Sequence, residues 1–105
     1  MTLEQAKRLK EMGFPQEGIQ NYYQEISGNC IGKIISVDPT AEEALDWVKS
    51  KFDFTSMDIS IGVYKNHYSV LITNENLIGN WGRPTLSDAV YALIVWAYEN
   101  KLLEA

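Results

Sequence analysis

The segment that most restricts the fold of this chain is the ten-residue stretch 89–98, AVYALIVWAY, which contains no charged side chain. Asp88 and Glu99 bound it. A helix on the surface of a small domain needs one apolar stripe, whereas this stretch is apolar nearly all round. The sequence therefore predicts a last helix over residues 86–101 that is buried on more than one side.

A chain of 105 residues can cover such a helix in two ways. The helix can be crossed by the other helices of the same chain, or one side can pack on a second copy. Tyr91, Trp96 and Tyr98 are of the aromatic types that are enriched at interfaces. We expect a single domain, residues 1–105, that forms a homo-oligomer through the 86–101 helix.

Three helices are predicted to start in the same way, with a threonine N-cap and a polar residue three positions later. The side chain of that residue can accept a hydrogen bond from the backbone N–H of the threonine, which completes a capping box. The pairs are Thr2 with Gln5, Thr40 with Glu43, and Thr85 with Asp88. In the first helix, residues 2–12, the apolar positions repeat at helical spacing, and Gly13 then marks the stop.

Between the helices, period-2 patterns and turn residues predict strands. They fall at residues 21–26, 30–37, 58–64, 67–73 and, less regularly, 77–81. Lys65-Asn66 has the length of a tight hairpin turn. The order α-β-β-α-β-β-(β)-α predicts an α+β fold in which helices cover a mostly antiparallel sheet. Residues 80–85 are predicted to be a loop that leads into the last helix.

Composition excludes several classes of function. The net charge of −5, from 14 acidic and 9 basic residues, disfavours a nucleic-acid-binding protein, which needs a basic face. The chain shows neither a signal-peptide pattern nor an apolar run long enough to span a membrane. A single cysteine forms no internal disulfide, so we expect the reducing cytoplasm of a cell as the location.

Residues suited to catalysis or metal binding are scarce. Cys30 and His67 are the only cysteine and the only histidine, which leaves no ligand set with metal spacing. A Cys30–His67 pair for nucleophilic catalysis has no support in the surrounding sequence. We therefore expect no enzyme, no metal and no cofactor, with Cys30 as a small apolar strand residue and His67 at the surface.

The segment before the last helix has the residues of an anion or nucleotide pocket. A helix N-terminus offers free backbone N–H groups, and Arg83 adds a planar charged fork for phosphate. Trp81 offers a flat face for a base, and Asn80 and Asn66 each offer a donor and an acceptor. The structural alternative is that Thr85 only caps, Trp81 anchors the segment in the core, Arg83 is solvated and Asn80 forms a turn.

The opening MTLEQAKRLKEMGFPQ and the two Pro-Thr-led helices resemble small phage and prophage proteins. In size and layout the chain is most similar to the phage proteins that disarm Thoeris defence by sequestering its signal. That family binds cyclic ADP-ribose isomers, and in some members cyclic oligonucleotides, without cleavage, in pockets between subunits. The resemblance implies a site that contains Arg83 with Thr85, Asn66, and an aromatic residue from Phe52 or Phe54.

The function expected from the sequence is thus non-enzymatic sequestration of a cyclic nucleotide immune signal, with no cofactor. The binding residues would be Arg83, Thr85, Asn66, Trp81, Asn80 and Phe54. The alternative is a phage protein–protein inhibitor or accessory protein that acts through an acidic or aromatic surface and has no small-molecule ligand.

Overall fold

A computed structural model of the protein describes residues 1–27, 30–51 and 58–100. The helices are α1 (Leu3–Glu11), α2 (Ala41–Lys51) and α3 (Leu86–Glu99). The strands are β1 (Tyr22–Ser27), β2 (Cys30–Val37), β3 (Asp58–Val63), β4 (Tyr68–Thr73) and β5 (Leu77–Arg83). The element order and the α+β class agree with the sequence-based prediction.

Helix starts follow the predicted capping pattern in two cases out of three. Thr2 and Gln5 form a reciprocal capping box at α1, and Thr40 and Glu43 exchange the equivalent hydrogen bonds at α2. Thr85 caps α3, with its Oγ1 accepting from the backbone N–H of Asp88 at 3.1 Å. The prediction that Asp88 returns this cap is wrong, because its carboxylate accepts from Gln5 instead.

The described strands form two antiparallel sheets, one of β1 and β2 and one in the order β3-β4-β5. Lys65-Asn66 is the predicted hairpin turn, closed by a hydrogen bond from the N–H of Tyr64 to the carbonyl of His67 at 2.9 Å. The predicted loop at residues 80–85 is wrong for residues 80–83, which belong to a strand. Strand β5 continues to Arg83, which pairs with Tyr68.

The last helix lies at the centre of the core. Ala89, Val90, Leu93, Ile94 and Ala97 are fully buried. Helix α3 contacts β4 and β5 on one side and α2 on another, so the prediction of burial on more than one side is confirmed. One chain supplies this cover, and the proposed contact with a second copy stays a prediction.

The three-stranded sheet has two different faces. Val70 and Ile72 of β4 are fully buried beneath α3, and Trp81 of β5 lies on the same face. Asn80 and Gly82 belong to the opposite, more exposed face. None of the helices in the described ranges is long and apolar enough to cross a membrane.

Candidate functional site

The two arginines of the chain line one groove, although 75 positions separate Arg8 from Arg83. The groove has a volume of about 370 Å³ and lies between α1, the end of β5 and residues 88–95 of α3. Its lining residues are Gln5, Arg8, Arg83, Asp88, Tyr91, Ala92 and Val95. Both arginines contribute to this lining, Arg83 beside the N-terminal end of α3 and Arg8 through a side chain that pairs with Glu99 at the C-terminal end.

Helical periodicity explains why these residues share the groove. Gln5 and Arg8 are three residues apart and therefore lie on one face of α1. On α3, Asp88, Tyr91 and Val95 recur at spacings of three and four, which places them on one stripe. Arg83 is the last residue of β5 and lies two residues before the N-cap of α3.

Each arginine has one partner that leaves most of its guanidinium donors available. Arg83 donates from Nη1 to the carbonyl of Gly82 at 2.7 Å, and its side chain is exposed. Arg8 donates from Nη2 to Glu99 at 3.4 Å, in an exposed ion pair. A guanidinium carries five N–H donors, so one hydrogen bond leaves each fork able to bind an anion.

Asp88 gives the same groove a negative charge. The side-chain amide of Gln5 donates to its carboxylate from Nε2 at 3.0 Å. This hydrogen bond, followed by the one involving Thr85 and by the charge of Arg83, lowers the pKa of Asp88 below its ordinary value. Asp88 is therefore ionised at neutral pH and accepts hydrogen bonds.

The groove thus combines cationic donors, an anionic acceptor and an aromatic ring. An anionic group in the groove would be attracted by the arginines and repelled by the carboxylate of Asp88. A ligand with both a phosphate and hydroxyl or amino donors would be recognised by both charges. Tyr91 is half-buried and offers a ring for stacking. These are the contacts that a nucleotide can satisfy.

The other residues predicted for the site are spread over the fold. Trp81 packs on Trp96 with 5.2 Å between ring centroids, which is the core-anchoring role named as its alternative. Asn80 lies on the opposite face of the sheet. Asn66 is in the exposed β3–β4 turn, at the same end of the sheet as Arg83 but outside the lining of the groove.

Thr85 reaches the groove indirectly, because its hydroxyl binds the backbone of Asp88. Phe52 and Phe54 lie outside the described residues. Sequence reasoning therefore found Arg83 but missed Arg8, Gln5 and Tyr91. The available signal was that the chain has only two arginines, and nothing local in the sequence indicates that α1 and α3 meet.

Residues considered for catalysis and metal binding occupy other places. His67 stacks on Tyr64, with ring centroids 4.6 Å apart and planes at 7°, and it is exposed as predicted. The side chain of Cys30 lies outside the part of the chain whose side chains the structure describes. Among the described residues, no group of three His, Cys, Asp or Glu side chains could hold a metal ion.

Comparisons with protein-family models, with curated proteins and with solved structures return no match to this chain.

Proposed function

We propose that this protein binds a cyclic nucleotide signal of bacterial immunity and sequesters it without cleavage, as a phage-encoded counter-defence protein of the host cytoplasm. The observation that carries the proposal is the convergence of Arg8 and Arg83 on one groove beside Tyr91. The resemblance to phage proteins that disarm Thoeris defence supports the choice of ligand class.

In this proposal Arg83 holds a phosphate through its planar fork, and Arg8 neutralises a second anionic oxygen. Asp88, fixed by Gln5, accepts from a ribose hydroxyl or a base amino group. Tyr91 stacks on the base. In this proposal these side chains bind the ligand and leave it chemically unchanged.

A second subunit completes the pocket in this proposal. Tyr91, Ala92 and Val95 of α3 line the groove and are half-buried in the single chain. A copy that packs on this stripe of the 86–101 helix would cover the ligand and exclude water from the arginine contacts. Exclusion of water strengthens charge-assisted hydrogen bonds, which favours tight sequestration.

Isothermal titration calorimetry with cyclic ADP-ribose isomers and with cyclic di- and trinucleotides tests the proposal. We expect heat with at least one ligand, recovery of that ligand intact by chromatography, and a loss of about tenfold or more in affinity for Arg83→Gln. Lys65→Gln removes a positive charge from the β3–β4 turn and serves as the matched control. Absence of heat with every ligand, or equal losses in the two variants, would contradict the proposal.

A protein–protein inhibitor or accessory function is the second candidate. The exposed Tyr64–His67 stack on the open side of the three-stranded sheet is the aromatic surface that favours it. This function predicts a stable complex with a host or phage protein that Tyr64→Ser weakens and Arg83→Gln leaves intact. Absence of such a complex, or equal binding by the two variants, would contradict this second candidate.

A further inference from the structure

Strand β3 has a free edge in the described part of the chain. It pairs with β4 on one side, and no described residue pairs with its other side. The hydrogen bond from Tyr64 to His67 fixes the alternation of backbone groups along the hairpin. Because Tyr64 points its backbone groups at β4, Ser60 and Gly62 do the same. The N–H and C=O groups of Ile59, Ile61 and Val63 therefore point outward.

The side chains of those three residues form an apolar row along the free edge. They lie on the helix-facing side of the sheet, where α3 packs mainly on β4 and β5. Ile59 is partly buried against the core, and the exposure increases toward the turn. Ile61 is 44% exposed and Val63 is 73% exposed. A groove of about 550 Å³ separates β3 from α2, with Leu45, Ile59 and Ile61 among its lining residues. Within residues 1–27, 30–51 and 58–100, nothing pairs with the backbone edge or fills the groove beside it, so both can accept a further strand.

We propose that a second copy of this chain adds its own β3 to this edge, antiparallel, about a two-fold axis perpendicular to the sheet at Ile61. This register places Ile61 against the partner's Ile61 and Ile59 against the partner's Val63. These are the positions whose backbone groups point outward, so each pair exchanges two hydrogen bonds, about six in all. The two three-stranded sheets become one sheet of six strands.

The register is self-complementary on both faces and at both ends. On the helix-facing side, apolar residues meet apolar residues beside the groove under α2. On the opposite side Ser60 meets the partner's Gly62, so no bulky groups collide. The exposed carboxylate of Asp58 comes level with the partner's Tyr64 and next to the partner's Lys65, which brings opposite charges together.

The other edge of the sheet is less suited to pairing. Gly82 directs its carbonyl away from β4. That carbonyl accepts a hydrogen bond from Nη1 of Arg83 at 2.7 Å. A basic side chain folded over an edge is a common protection against strand addition. Strand β5 also has an irregular register near Thr73, whereas the β3–β4 ladder is continuous from Asp58 to Val63. The free and regular edge is the one at β3.

A strand pair of this length with one groove lies at the small end of stable interfaces. We therefore expect a reversible association with a dissociation constant of about 1–100 μM. This association does not involve the arginine groove, so it can be tested on ligand-free protein. Its failure would leave the proposed function untouched, and the reverse also holds.

Sedimentation velocity from about 5 to about 500 μM, which brackets the expected affinity, provides the test. We expect the wild-type mass to rise to at least that of a dimer, and Val63→Glu to halve the mass reached at the highest concentration. The substituted carboxylate would enter a groove lined by the carboxylates of Glu42, Asp46 and Asp58 against the single amine of Lys49, so repulsion outweighs attraction. Because Val63 is exposed, this variant keeps the fold, which far-UV circular dichroism checks.

Leu77→Glu is the matched control, because it replaces an exposed aliphatic residue on the opposite edge strand. We expect it to associate like the wild type. Amide exchange of wild-type protein supplies an independent reading, in which the N–H of Ile61 becomes protected as concentration rises. A wild type that stays monomeric, an unchanged mass in Val63→Glu, equal effects of the two variants, or no change at Ile61 would overturn the proposal.

Discussion

Gln5 and Asp88 are joined by a hydrogen bond of 3.0 Å, from Nε2 of the amide to Oδ1 of the carboxylate, although they are 83 positions apart. The same amide accepts at Oε1 from the backbone N–H of Thr2, also at 3.0 Å. One side chain therefore completes the cap of α1 and holds the first turn of α3. Both contacts border the groove of the two arginines.

Replacing Gln5 by alanine is expected to lower the free energy of unfolding by about 1 kcal/mol, because it removes a helix cap and a partner of a charged group. Thermal unfolding followed by circular dichroism measures the change, which corresponds to a loss of about 4–8 °C in a domain of this size. Gln20→Ala, at an exposed position between α1 and β1, is the control. Equal melting temperatures of the two variants would show that the Gln5 contacts contribute nothing.

The depressed pKa of Asp88 predicts how stability depends on pH. The ionised carboxylate is favoured by the fold, so its contribution is present above the unfolded-state pKa of about 3.9 and is lost as pH falls through the lower folded-state value. Urea unfolding at pH 7 and at steps below pH 4 measures this loss. We expect Asp88→Asn to be less stable than the wild type at pH 7 and to converge with it in acid. A difference that stays constant with pH would contradict this role.

Substitution of Gly79 is predicted to cause a steric clash, because the indole of Trp81 lies over this residue. An added Cβ would come 2.3 Å from Cη2 of that ring, which is already packed on Trp96. Gly79→Ala should therefore destabilise the protein by about 1–3 kcal/mol and shift tryptophan fluorescence, because the ring must move.

Gly82→Ala, in the same strand, is the control for that substitution. Its Cβ would meet its nearest neighbour, an imidazole carbon of His67, at 3.4 Å, which is an ordinary contact. We expect chemical denaturation and the emission spectrum of this variant to remain close to those of the wild type. If both alanine variants lost stability equally, strand propensity rather than the position of the indole would be responsible.

The central position of α3 predicts a large cost for shortening Leu93. This side chain is fully buried, and Leu93→Ala should lower the free energy of unfolding by about 2–5 kcal/mol through lost burial and a cavity. Glu99→Ala on the same helix removes only the exposed ion pair with Arg8 and should change stability by less than about 1 kcal/mol. Urea titrations of the two variants test this ranking, and similar midpoints would contradict it.

Much of the fold could be predicted because its signals are local. Thr2 with Gln5 and Thr40 with Glu43 are capping patterns within four residues, and Lys65-Asn66 is a turn between two alternating runs. The extent of β5 was missed because two glycines weaken its strand pattern. The ring of Trp81 lies over Gly79, so the glycine is required by packing rather than by a turn.

The candidate site could be predicted only in part because it is built from distant segments. Arg83 could be predicted because it lies just before a helix N-terminus, and Thr85 could be predicted because it is the N-cap residue of that helix. Arg8 looked like one of several charges on an amphipathic helix. Its place opposite Arg83 depends on how α1 sits against α3, which no short-range pattern specifies. The hydrogen bond between Gln5 and Asp88 was missed for the same reason, because the two residues are 83 positions apart in the sequence.

The contact between Arg83 and the carbonyl of Gly82 has a consequence for how far self-association can proceed. A sheet with two open edges can add copies without end and grow into a fibre, whereas a sheet with one usable edge closes after a single addition. If copies meet through β3, the guarded edge at β5 limits that sheet to a closed, two-fold symmetric pair. An arginine first noticed as a candidate ligand contact would then also keep this sheet from growing beyond six strands.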